Sequence, residues 1–189
     1  MVVLTQNMQG YFQEALGEAL RRSKSSISEE VHVYLIYLLT DFARSERVYA
    51  GVNPGEEPIL VLLLERALES PPAEANRIFK HIGDSTLYLS GFFGERTQTS
   101  RVNHSYYMAM GENAYFRLAQ NTRVPVYHEL SGAFERLVFL LRQVSLHDRK
   151  PSPEEILSWI EQYQQSKSPE LQTLLAINGV FLKNDDPTC

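Results

Sequence analysis

Apolar positions along this chain recur at every third and fourth residue and no run alternates at two, so the pattern predicts helices and no strands. A first helix over about residues 6–22 is expected to bury Tyr11, Phe12, Ala15, Leu16, Ala19 and Leu20. Arg21, Arg22 and Lys24 follow where the helix dipole favours cations. Ser26 and Glu29 have the spacing of a capping box for a second helix, which points Val31, Tyr34, Leu35, Leu38, Leu39 and Phe42 inward and stops before the turn cluster Gly51-Val52-Asn53-Pro54-Gly55. Pro58 opens a third segment, Ile59-Leu60-Val61-Leu62-Leu63-Leu64, that is apolar on all sides and so is expected at the centre of the structure.

A fourth helix is expected from about Ala73 to Phe93, because Ile78, Ile82, Leu89 and Phe93 keep helical register across two internal glycines. Beyond a polar connector, Thr97 to Asn103, a fifth carries Tyr107, Met110, Ala114 and Leu118 on one face and His104, Met108, Gly111 and Tyr115 on another. Leu130, Phe134, Leu137, Leu141 and Val144 then mark one uninterrupted helix after Val124-Pro125. Ser152 caps a helix over Pro153 to Gln164, and a last one runs from Ser168 to about Ala176. The expected fold is all-α, a compact single-domain bundle of seven or eight helices over residues 1–182 with its core in the 58–121 portion and a flexible tail over 183–189.

Composition narrows the setting. Cys189 is the one cysteine among 189 residues, which excludes an intrachain disulfide and a cysteine zinc site and suits a reducing cytoplasm. The first residues have neither a basic start nor an apolar run of signal length, and no segment is long enough to span a membrane, so neither export nor membrane insertion is expected. A net charge of -5 with acids and bases interleaved offers no basic stripe for nucleic acid.

The chemistry-bearing residues concentrate between residues 81 and 115. Gly83, Thr86, Ser90 and Gly94 form a strip of small residues on one helix face, expected chiefly to admit a neighbouring helix at close range. Asp84, Tyr88 and Glu95 lie on the adjoining strip, with His81 one turn before Asp84. A metal reading would use His81, Asp84 and His104; the remaining candidates (Glu112, His128, Glu129 and His147) lack ligand spacing, and the two Glu-x-x-His helices of a di-iron bundle are not present. His147-Asp148 matches the two-letter centre of HD-type phosphohydrolases without their other ligands. No nucleophile elbow and no phosphate loop occurs, so no catalytic residue and no cofactor is assigned. Tyr106, Tyr107 and Tyr115, with Met108 and Met110, read as core with apolar surface left over for a dimer seam.

The series Gly83-Asp84, Leu89-Ser90-Gly91-Phe92-Phe93, Tyr106-Tyr107 and Met110-Gly111 resembles a group of uncharacterised bacterial all-helical proteins that carry a similar set of motifs. The resemblance implies a bacterial cytoplasmic origin and no catalytic role. The expected function is that of a regulatory or adaptor-like binding protein acting through protein–protein contacts, with a homodimer as one form. Its partner groove is expected along Asp84, Tyr88, Gly91, Glu95 and Arg96 of one helix and His104, Tyr107 and Glu112 of the next. The alternative is a metal- or cofactor-dependent helical enzyme centred on His81, Asp84 and His104.

Overall fold

The computed structural model describes residues 2–44, 58–92 and 104–182. Glu95, Arg96 and the 183–189 tail lie outside the described residues, and the described part of His104 is its backbone. Nine helices and no strand occur among the described residues: α1 (Val2–Ser23), α2 (Glu29–Arg44), α3 (Pro58–Glu69), α4 (Pro72–Phe92), α5 (His104–Thr122), α6 (Pro125–Gly132), α7 (Phe134–Ser145), α8 (Pro153–Ser166) and α9 (Pro169–Ile177). The all-α expectation is met, with one helix more than its upper count.

Local chemistry sets the helix starts. Pro58, Pro72, Pro125, Pro153 and Pro169 each stand at the first position of a helix, where the missing N–H costs nothing and the fixed φ is already helical. At α8, Ser152 Oγ accepts from the Glu155 N–H at 3.2 Å, and Glu155 Oε2 accepts from the Ser152 N–H at 2.7 Å. The start of α2 differs from the expected Ser26–Glu29 box. Ser28 caps it, its Oγ accepting from the Val31 N–H at 3.2 Å, while the Ser28 N–H donates to Glu129 Oε1 of α6 at 2.9 Å. The reciprocal carboxylate of this cap therefore comes from a distant helix.

The additional helix arises at Ala133. Its φ of -111° and ψ of 12° break the expected 130–144 helix into α6 and α7. The preceding Gly132 is a weak helix former. The apolar register survives because the break adds no residue: Leu130 and Phe134 are both buried on either side of it.

The centre of the bundle is α4 and not α3, a correction to the expectation drawn from Pro58–Leu64. Every residue from Ile82 to Gly91 is buried, and α4 packs against α2, α3, α5 and α7. In contrast α3 packs mainly on α4 and leaves Val61, Leu62 and Leu68 exposed at 44%, 58% and 59%. The physical reason lies in side-chain size. Branched leucines hold neighbours at arm's length, whereas small residues along α4 let several helices reach its backbone. A second apolar cluster, built from Phe139, Leu146, Trp159, Leu171, Leu174 and Leu175, joins α8 and α9 to α7.

Candidate functional site

Glycine 83 begins the construction of the site. A Cβ placed there would lie 2.7 Å from the ring of Tyr115, so only glycine lets that ring rest on the α4 backbone. From this position the Tyr115 hydroxyl reaches the next residue of α4 and donates to Asp84 Oδ1 at 2.7 Å. Tyr34 of α2 donates to the same oxygen at 2.5 Å, and Lys80, one helical turn before Asp84, binds Oδ2 at 2.6 Å. Both oxygens of this buried carboxylate are thus satisfied, which is the condition for holding a charge away from water.

The surroundings reinforce that arrangement. Burial first and the Asp84 charge second push the Tyr34 and Tyr115 hydroxyls well above the ordinary tyrosine range, so both stay protonated donors. Tyr127 stands edge-on to Tyr34 at 6.1 Å between centroids and parallel to Tyr115 at 6.4 Å. Lys80 Nζ also sits 5.0 Å over the Tyr34 ring. The side of Tyr34 and Asp84 turned away from α5 faces a surface groove.

This groove, about 660 Å³, runs between α2, the middle of α4 and the start of α6. Tyr34, Lys80 and Asp84 form its floor; Val33, Tyr37, Leu38 and Phe42 of α2 form one wall; Val124, Pro125 and Val126 form the other. Glu29 and Glu30 stand at one end and Asp41 near the other. Val33 and Tyr37 are 44% and 56% exposed, so much of the wall is apolar surface open to solvent.

The residues expected to line one groove are distributed differently. Of the described ones, Asp84 alone lines this groove. Tyr88 is buried and stacked between Phe42 at 4.6 Å and Phe92 at 5.0 Å. Gly91 is buried against α7, where an added Cβ would lie 2.5 Å from Leu141 Cβ. Tyr107 is a core residue, and Glu112 is exposed on α5, its backbone carbonyl accepting from Ser131 Oγ at 3.1 Å. His81 is exposed, apart from the floor of the groove. Among the described residues no three His, Cys, Asp or Glu side chains are grouped to hold a metal ion.

At Gly83, Thr86 and Ser90 the strip of small residues is filled by neighbouring helices, as the packing interpretation expects, while Gly94 lies outside the described residues. Tyr115 covers Gly83, and a Cβ on Gly111 of α5 would overlap the Thr86 hydroxyl and the Phe134 ring. At Ser90 the carbonyl accepts from Arg142 Nε of α7 at 3.4 Å. The wall supplied by α2 was missing from the sequence interpretation. Its signal is a second stripe, Val33, Tyr37 and Asp41 at four-residue spacing, beside the buried stripe of Val31, Leu35, Leu38 and Leu39.

No family model, curated protein or solved structure matches this chain. Among the described residues no helix is long and apolar enough to cross a membrane.

Proposed function

We propose that this protein works by binding, as a regulatory or adaptor-like protein of the bacterial cytoplasm that holds a segment of a protein partner in the groove between α2, α4 and α6. One observation carries this reading. The polar groups of the floor are spent on one another, Asp84 taking Tyr34, Tyr115 and Lys80, while the walls offer exposed apolar surface at Val33 and Tyr37. Such a site gains free energy by covering apolar area and has an ordered polar base to fix orientation. Asp84 would have to give up Lys80 and two tyrosine hydroxyls before it could serve as a metal ligand or a base.

The test compares affinity-purified wild type with Val33→Asp, which places a charge on the wall without touching the core. The reading expects a stoichiometric protein partner in native mass spectra of the wild type that is absent from the variant, with unchanged helical circular dichroism. An identical set of partners on both proteins would count against the groove.

A further inference from the structure

We infer that the segment held by the groove is a cationic amphipathic helix, a conclusion that rests on the binding function proposed above and specifies the partner's chemistry. Charge complementarity is the first support. Four carboxylates line the groove, Glu29, Glu30, Asp41 and Asp84, against one ammonium, Lys80, and that ammonium is already bound to Asp84. Glu29, Glu30 and Asp41 are exposed, and among the described residues no cation pairs with them. The field over the apolar walls is therefore negative at both ends.

Asp41 differs from the other two exposed acids in where it stands on α2. Glu29 and Glu30 occupy the first turn of α2, where the helix dipole favours acids, so they have a local reason to be there. Asp41 is in the last turn of the same helix, where the dipole disfavours an acid.

Geometry then fixes the shape of the partner. Glu30, Val33, Tyr34, Tyr37, Leu38, Asp41 and Phe42 repeat at helical spacing along one face of α2, the surface another helix packs against. From Glu30 to Asp41 is about 16 Å of helical rise. The matching segment carries about three turns of apolar residues at three- and four-residue spacing, bracketed by Lys or Arg at each end. Val33, Tyr37 and Phe42 take the apolar side chains, and the exposed Tyr37 ring offers its face to an incoming cation.

The experiment uses two synthetic helical peptides, one with leucines on a single face bracketed by lysines, the other identical except for glutamate in place of each lysine. Binding to the full chain is read by fluorescence anisotropy at low and high salt. The inference expects the lysine peptide to bind and the glutamate peptide not to bind, with affinity falling as salt rises. Asp41→Lys and Val33→Asp should each weaken binding about tenfold or more. If both peptides bind alike and both lose affinity in Val33→Asp, the groove stands as a binding site and the cationic partner is overturned. Binding of the lysine peptide that ignores both substitutions would reflect general attraction to a chain of net charge -5 and would overturn both readings, as would failure of both peptides to bind. Self-association of the protein that Val33→Asp abolishes would identify a second copy as the occupant and would also overturn the inference.

Discussion

Tyr115 and Asp84 are joined by a 2.7 Å hydrogen bond across the interface of α5 and α4, and the absence of a side chain at Gly83 brings them together. The same contact anchors the floor of the groove, because Tyr34 of α2 meets Tyr115 at one oxygen of Asp84. Three helices are tied at a single buried carboxylate. The groove inherits its shape from that tie.

Gly83→Ala should destabilise the protein by about 1–3 kcal/mol, since the new methyl drives Tyr115 off α4. The control is Gly10→Ala in α1, where an added Cβ meets nothing within 4 Å. There the better helix former should stabilise by up to about 1 kcal/mol. Urea unfolding followed by circular dichroism reads both changes, and similar effects at the two sites would refute the close approach.

Removing the Tyr115 hydroxyl as Tyr115→Phe should cost about 1.5–3 kcal/mol, the range for a hydrogen bond to a charged acceptor. In an Asp84→Asn background the same change should cost less, because the acceptor is neutral. A double-mutant cycle should give coupling of at least about 0.5 kcal/mol, and strict additivity would mean that the two groups do not interact.

Alkaline pH should unfold the protein through its tyrosines. Tyr34 and Tyr115 keep their protons to higher pH in the folded state than in the unfolded chain, whose value is 10.0. Above that value the unfolded state binds fewer protons, so their contribution is complete below about pH 10 and declines as pH rises. The expected slope is about 1.4 kcal/mol per pH unit for each of the two. Tyr11, pushed up to about 12 by burial and then by its hydrogen bond and proximity to Asp148, adds to the fall between those values. Tyr34→Phe combined with Tyr115→Phe should flatten the stability profile above pH 10, and an unchanged profile would contradict the assignment.

Glu129→Ala removes the carboxylate that accepts from the Ser28 N–H. The loss should be about 1 kcal/mol. Hydrogen exchange should quicken at the start of α2 and leave its last turn unaffected. Uniform acceleration along α2 would show that Glu129 does not act at the cap.

How much of this was legible in the sequence depended on the range of the interaction. Helix class, the α7 stripe and the packing role of Gly83, Thr86 and Ser90 follow from spacing within one helix, and each is found in the structure. The break at Ala133 was hidden because it preserves the register of Leu130 and Phe134. Leucine content suggested that α3 was central, but the residues that let a helix be surrounded are the small ones of α4. The groove between α2, α4 and α6 was not legible because α2 carries two adjacent stripes, and which one stays uncovered depends on helices far away in sequence. Ser28 meeting Glu129 is beyond local pattern for the same reason.

The measurement that tests the central claim most directly is site-specific photo-crosslinking in the cell, with a photoreactive phenylalanine analogue at Tyr37 in the groove wall and, as control, at the exposed Leu157 of α8. The account predicts a discrete protein adduct from position 37 that Val33→Asp suppresses, and none from position 157. Equal adducts from both positions, or an adduct from 157 alone, would contradict it.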